Sequence, residues 1–504
     1  MSKRFYITTA IDYVNGQPHL GHAYEKIVAD VIARSRRALG EDVFYLTGLD
    51  EHGQKVQQAA QAEGKEPQNY CDELASHWQS FAIRLGLSND DFVRTTQERH
   101  KTVVAALLNK LHAQDDVYKG TYRGWYSWRQ ETFLTDKDRN PDGTWDPIYG
   151  EVKELVEENW YFRMGRHQQW LIEHIEANPS FVSPDYRRNE VLGFLRSVTL
   201  DDLCISRPKS RLTWGIPIPF DSDYVNYVWF DALVNYLSVP IARGEETSLW
   251  PADVHLIGKD IIKFHAVYWP IMLKAMSLSL PKQILVHGWW QKDGAKMSKT
   301  TGNVVDPVAI IDDWGLDAFR YYVIRELAIG PDGNWTDTGF ASRYGAELAN
   351  GLGNLINRSL SMLQRYRAGI VPARHDELAA DATRIANETI DHLRTNELQA
   401  ALQSIWLLVN RANQYVDQTA PFKLAKDPAQ ATRLDEVLYN LGETCRILGV
   451  LLIPFLPATS AKIFAQLNLT PSLRLDDAQW GALPAGHTIS APIPLFPRRD
   501  AEKK

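Results

Sequence analysis

Two pairs of basic residues suggest the chemistry of this chain. His19 and His22 stand three apart in Pro18-His19-Leu20-Gly21-His22, and Lys296 and Lys299 stand three apart in Lys296-Met297-Ser298-Lys299-Thr300. Residues three apart share a helix face. The first turn of a helix attracts anions through its unpaired N–H groups and its dipole, so two imidazoles there can donate to phosphate oxygens. Gly21 lets a flat base lie close to the backbone, and Pro18 suits a helix entry. Glycines on both sides of the lysines, Gly294 and Gly302, predict a mobile loop. Ammonium groups on flexible stems can follow a phosphate as its charge grows, which stabilises a transition state more than a ground state. Either pair alone is weak, because helical histidines are as often surface or core residues and a Lys-x-x-Lys is commonly a solvated loop. Together and in this order they describe a site that splits ATP between its α and β phosphates.

Such a site needs a scaffold. Residues 5–9 read as a buried strand, 15–18 as a turn, 19–39 as a helix, and 43–47 as a second strand running into Gly48-Leu49-Asp50-Glu51-His52-Gly53. Strand, turn, helix and strand make a βαβ unit, whose ligands sit at the carboxyl ends of the strands. Helical patterning covers 54–113. Residues 120–211 turn polar, with Gly, Pro and Asp between aromatics, and read as an insertion. The α/β pattern returns at Tyr227-Val228-Trp229, at 254–258 and at 284–287. From about 341 to 467 leucines and isoleucines recur every three or four residues, which predicts a helix bundle. A Pro-rich, irregular tail follows from Pro471.

The 504 residues are too many for one core and imply two to four domains. A hydrophobic fraction of 44% and a charged fraction of 23% are those of a soluble globular protein. No apolar run reaches the roughly 18–20 residues of a membrane span, and the start has no signal-peptide anatomy. Cys71, Cys204 and Cys445 are scattered, which suggests neither a disulfide framework nor a metal knuckle. A cytoplasmic enzyme without membrane contact is expected. A net charge of −7 argues against indiscriminate nucleic-acid binding but leaves local RNA contacts open.

The stretches TTAIDYVNGQPHLGHAYEKIVAD, LTGLDEHGQKV, ISRPKSRLTWGIPIP, YVWFDALVNY, LIGKDIIKFHAVYWP and KMSKTTGNVVDP resemble, in order, the methionyl-tRNA synthetases of class I. The resemblance implies an α/β fold: a split Rossmann-like nucleotide-binding domain with a connective insertion, followed by an α-helical anticodon-binding bundle. Its implied boundaries are 1–115 and 226–290 for the catalytic halves, 116–225 for the insertion, 291–345 for a stem-contact region with the KMSKT loop, and 346–504 for the anticodon domain and tail. It implies ligation of L-methionine to initiator and elongator tRNA(Met), with ATP and Mg²⁺. Carried onto this chain, the methionine pocket falls on Ile11, Tyr13, Asp50, Trp229, Ala232, Leu233, Tyr236 and His265. Asp50 would hold the ammonium, and Tyr13 and His265 would line the sulfur end. Aromatic walls suit a polarizable thioether, yet reject a one-methylene analogue by only about 1–3 kcal/mol, so imperfect rejection of homocysteine is expected. The ATP side falls on His19, Gly21, His22, Glu25, Gly258, Asp260, Lys296 and Lys299, and Arg207 near the reacting groups. The chain has no room for the large editing insertion of the leucine, isoleucine and valine enzymes.

The chain departs from the family in three places. Many relatives carry a zinc knuckle in the insertion, but residues 126–150 contain no cysteine, so no structural zinc is expected. Trp125, Trp128 and Trp145 are expected to form a small aromatic core instead. The anticodon residues map to Asn354, Arg358 and Phe422, the last where a Trp is usual; it can stack on a base without the indole donor. The C-terminal tRNA-binding module of many relatives is missing, which predicts a monomer. A small-molecule nucleotidyltransferase and a non-catalytic tRNA-binding paralogue remain as alternatives.

Overall fold

The computed structural model describes residues 3–14, 16–129, 132–134, 138–297 and 303–499. Its first half is a parallel sheet. β1 (Arg4–Thr9) and β2 (Asp12–Tyr13) pair with successive stretches of β3 (Asp42–Asp50), and α1 (Leu20–Ala38) crosses between them. α2 (Gln54–Ala62) and α3 (Pro67–Arg84) precede β4 (Asp91–Arg94), which pairs with β3, and α4 (Glu98–Ala113) follows. The span 54–113 is therefore not wholly helical. Four residues of strand are too few to disturb a helical period, so β4 was invisible to it.

β5 (Val117–Ser127), β6 (Thr132–Leu134) and β7 (Val152–Phe162) open the region read as an insertion. α5 (Gln168–Ala177), β8 (Val182–Ser183), α6 (Asp185–Ser197) and β9 (Leu203–Cys204) follow. The order β6-β5-β7-β9 makes a separate antiparallel sheet, but β8 pairs in parallel with a strand of the main sheet. Residues 116–225 are thus not one structural unit, because two residues of β8 cap the main sheet's edge. β10 (Ser206–Pro208), β11 (Pro217–Ile218) and β12 (Asp221–Asn226) form a small sheet. Then come α7 (Val228–Ala242), α8 (Glu246–Leu249), β13 (Val254–Gly258), α9 (Trp269–Ala275) and β14 (Ile284–His287). Tyr227-Val228-Trp229 opens a helix rather than a strand: Tyr227 is the N-cap of α7.

The main sheet runs β2-β3-β1-β13-β14-β8. Side chains alternate across it. Phe5, Ile7 and Tyr45 pack on one face with α1 and the later helices, while Tyr6, Phe44 and Leu46 pack on the other with α4, α7 and α9. Both faces are covered, as a parallel sheet requires.

β15 (Trp290–Lys292), β16 (Ala295–Lys296), α10 (Pro307–Trp314), α11 (Leu316–Glu326), β17 (Gly333–Trp335) and α12 (Asp337–Arg343) link the sheet to the bundle. The bundle comprises α13 (Asn354–Arg367), α14 (Ala379–Arg394), α15 (Leu398–Thr419), α16 (Pro421–Leu424), α17 (Ala431–Leu451) and α18 (Pro457–Gln466). The Pro-rich tail is irregular but packed. Leu475, Leu483, Ile489 and Phe496 are buried in the core, and the buried Glu443 carboxylate accepts the N–H groups of Gly481, Ala482 and Leu483 at 2.7, 3.0 and 2.9 Å. Among the described residues no helix is long and apolar enough to cross a membrane.

The three insertion tryptophans do not form one core. Trp125 and Trp128 are an odd number of residues apart at the end of β5, so they leave on opposite faces. Trp125, 37% exposed, faces Trp145 with the Arg139 guanidinium 5.0 and 4.4 Å from the two ring centres. Trp128 packs edge-on against Tyr126, with Arg211 over both rings. Two arginine–aromatic stacks replace the expected dry cluster.

Candidate active site

β1 lies between β3 and β13, so successive connections leave it in opposite directions and open a crevice at the carboxyl ends. A cavity of about 550 Å³ lies there. Ile11, Asp12 and Tyr13 line it just beyond β1, Asp50 at the end of β3, Gly258 at the end of β13, and His287 at the end of β14.

One wall is the start of α1. His19 is the N-cap, and its Nδ1 accepts from the Gly21 N–H at 3.1 Å; His22 Nδ1 accepts from the His19 N–H at 3.1 Å. The two imidazoles make a reciprocal capping box and lie 3.8 Å apart between ring centres. With Nδ1 accepting, the neutral rings carry their proton on Nε2. A Cβ at position 21 would sit 3.0 Å from His19 Cε1. Gly21 therefore makes room for the folded-back imidazole, a role the sequence reading did not assign it. Glu25 lines the same cavity. Burial works against its charge, but Lys26 and the His287 bond at 3.0 Å outweigh it and hold the carboxyl down at about 2.

The opposite wall is α7. Trp229, Ala232, Leu233 and Tyr236 line the cavity along a helical stripe. The Trp229 ring stacks on Phe264 at 3.6 Å. His265 Nδ1 lies 3.0 Å from the Ile261 carbonyl and donates to it, so Nε2 accepts from the Tyr236 hydroxyl at 2.7 Å. Burial pushes His265 down to about 4 and keeps it neutral. On the hidden side of α7, Asp231 sits between His52 Nδ1 at 2.5 Å and His100 Nε2 at 2.7 Å, and His100 reaches Ser238 at 2.8 Å. Burial disfavours the Asp231 charge, but the two histidines hold the carboxyl at about 2.

Asp50 is buried, and its Oδ1 has no hydrogen-bond partner among the described residues. Burial, then the nearby Asp231 and Glu51 charges, push its carboxyl well above the usual range. Asp260 is exposed at the mouth and accepts from Trp289 Nε1 at 3.2 Å. A Cβ at Gly258 would lie 2.7 Å from Asp260 Oδ1, so a larger residue there would displace this carboxylate.

The structure thus gathers Ile11, Tyr13, Asp50, Trp229, Ala232, Leu233, Tyr236 and His265 with His19, Gly21, His22, Glu25, Gly258 and Asp260. Arg207 is not among the lining residues. Its buried guanidinium donates to Ser206 O at 2.7 Å and lies 4.4 Å from the ring centre of Tyr227, which does line the cavity. The Lys296 backbone is in β16, and Met297 lines the cavity. Lys299 and the Lys296 side chain lie outside what the structure describes. Asp12, His287, Trp289 and Trp290 were missed by sequence reasoning; the ends of β1 and β14 are the signal that locates them. Asn354 and Arg358 are on α13, where Arg358 pairs with Asp417 at 3.3 Å. Phe422, on α16 just beyond Asp417, is 42% exposed.

Comparison with known proteins identifies the family. The family described as tRNA synthetases class I (M) matches residues 5–144 and 139–360, and the anticodon binding domain of methionyl tRNA ligase matches 367–504. The methionine–tRNA ligase of Bacillus subtilis is 44% identical over 524 residues, covering 99% of this chain and 78% of that protein. The Mycobacterium tuberculosis methionyl-tRNA synthetase in complex with methionyl-adenylate is 38% identical, with a TM-score of 0.92 over 98% of this chain and 100% of that one. Its apo form is 36% identical, with a TM-score of 0.86 over 99% of each chain. With matches across both the α/β part and the bundle, the chain belongs to the class I methionyl-tRNA synthetases.

Proposed function

We propose that the protein activates L-methionine with ATP, taken as its magnesium complex, and transfers the methionyl group to the 3′-terminal adenosine of initiator and elongator tRNA(Met). The observation that carries the reading is Asp50: a buried carboxyl oxygen without a partner among the described residues, at the edge of an aromatic and aliphatic cavity beside a histidine-capped helix. A buried carboxylate needs a cation, and an amino acid's ammonium supplies one. The thioether then lies among Trp229, Ala232, Leu233, Tyr236 and His265, with Ile11 and Tyr13 beside it.

The methionine carboxylate attacks the α-phosphorus in line. The new P–O bond forms as the bond to the β-phosphate oxygen breaks, giving methionyl-adenylate and pyrophosphate. No protein nucleophile is needed, since positioning and charge stabilisation suffice. His19 and His22 donate from Nε2 to phosphate oxygens, Asp260 takes the ribose hydroxyls, and Lys296 and Lys299 meet the departing pyrophosphate. Arg207 acts from behind, supporting Tyr227. In the second step the terminal 2′-hydroxyl of the tRNA attacks the adenylate carbonyl and AMP leaves. Residues 291–345 meet the acceptor stem, and Asn354, Arg358 and Phe422 meet the anticodon. The enzyme works in the cytoplasm as a monomer.

The test is ATP–pyrophosphate exchange with each of the twenty amino acids and no tRNA. Exchange driven by methionine far above the rest is the expected result. Exchange with another amino acid overturns the pocket assignment, and none at all returns the choice to a nucleotidyltransferase or a non-catalytic paralogue.

A further inference from the structure

The described lining of the cavity contains the carboxyl groups of Asp12, Glu25, Asp50 and Asp260 but only one lysine, Lys55. That is a hostile surface for a triphosphate unless the charge is cancelled from behind. Lys26 stands in that place. It is 5% exposed and is not itself among the lining residues. Its Nζ lies 3.0 Å from Glu25 Oε1, 3.2 Å from Asp12 Oδ2, 2.7 Å from Ala10 O and 3.0 Å from Thr9 Oγ1. Each of these partners is fixed by a different part of the crevice. Asp12 is in β2, Thr9 and Ala10 are at the end of β1, and Glu25 is one turn into α1, where its other oxygen meets His287. The ammonium therefore fixes the turn after β1 against the helix that carries His19 and His22. It also pairs with two wall carboxyl groups.

We propose that Lys26 is a positioning residue for the nucleotide half of the site: by joining Asp12 to Glu25 it lowers the negative charge of the wall that faces ATP, without touching ATP itself. The inference rests on the function proposed above. An ion pair that merely stabilised the fold would make Lys26 matter for stability alone. A charge-balancing role makes it matter for ATP binding, and makes the loss reversible by removing one carboxylate.

The experiment is methionine-dependent ATP–pyrophosphate exchange at saturating methionine, with thermal melting of each variant alongside. Lys26→Met makes the wall more negative by up to one charge, part of which Asp12 takes up as a proton because burial already raises that carboxyl to about 7 beside Lys26. It is expected to raise the KM for ATP roughly tenfold, with a much smaller change in the KM for methionine. The double variant Asp12→Asn with Lys26→Met restores the original net charge. It is expected to recover an ATP KM within roughly threefold of the unsubstituted protein. An unchanged ATP KM in Lys26→Met overturns the inference, as does a double variant no better than the single. If Lys26→Met does not fold, the double variant decides: an ATP KM near normal supports the inference, and a tenfold rise overturns it. Absence of exchange by the unsubstituted protein overturns the underlying reading of function instead, so the two failures are told apart.

Discussion

Burial raises the pKa of a carboxyl, and a cation brought against it lowers that pKa. Asp50 is buried with its Oδ1 unpartnered among the described residues, and burial, then the Asp231 and Glu51 charges, raise its pKa against the pull of the His52 backbone N–H. Bringing an ammonium against it lowers that pKa again, so binding expels a proton. The sign follows: a ligand that must displace a proton binds better as pH rises, through the window between the ordinary carboxyl range and the raised value. Methionine titrated calorimetrically in two buffers of different ionisation enthalpy is expected to show proton release, and affinity that grows with pH in that window. Asp50→Asn is expected to abolish the release and weaken methionine binding roughly 10–100-fold, the equivalent of one charged hydrogen bond. Proton release persisting in that variant would place the titrating group elsewhere.

α7 presents Trp229, Ala232, Leu233 and Tyr236 to the cavity. Its opposite side carries Asp231, fully buried between His52 and His100. His52 follows the end of β3 and His100 lies on α4, so one carboxylate ties the pocket wall to the sheet and to the helix behind it. Breaking a buried, paired charge costs about 3–5 kcal/mol, because the partners are left desolvated. Asp231→Ala is expected to lower the urea midpoint by that much free energy and to raise the KM for methionine. A variant that melts like the unsubstituted protein would show that α7 is held by its apolar face alone.

The α/β part and the bundle share one continuous apolar core, and a buried ion pair lies within it. Arg320 on α11 and Asp30 on α1 are both fully buried and meet at 2.7 Å. Arg320 also donates to Pro454 O at 3.1 Å and Phe455 O at 2.9 Å, in the turn between α17 and α18. A single guanidinium thus joins the helix that carries the histidine cap to the bundle. Arg320→Met is expected to cost about 3–5 kcal/mol and, in scanning calorimetry, to split one cooperative transition into two. An unsplit transition at the original temperature would show that the apolar contacts, with the bond from Arg36 to the Arg394 carbonyl, couple the two parts without Arg320.

What the sequence determined by itself was local. The helix after the first strand starts at His19 because capping geometry and spacing act within four residues, and the apolar period of the bundle helices is likewise written along one segment. The tertiary structure decided what depends on distant residues. Nothing near Asp12 shows that it meets Lys26, or that Glu25 meets His287 across 262 positions. The odd spacing separates Trp125 from Trp128 only once the segment is a strand, and pairing with β7 is what makes it one. Nor could it reveal β8, a strand of two residues that exists only because the edge of β14 is there to bond it. Arg207 was legible as a charge; only packing places it behind Tyr227 rather than at the cavity wall. Local propensity and capping act within a turn of chain, whereas burial, charge balance and sheet pairing exist only once remote segments share the same space.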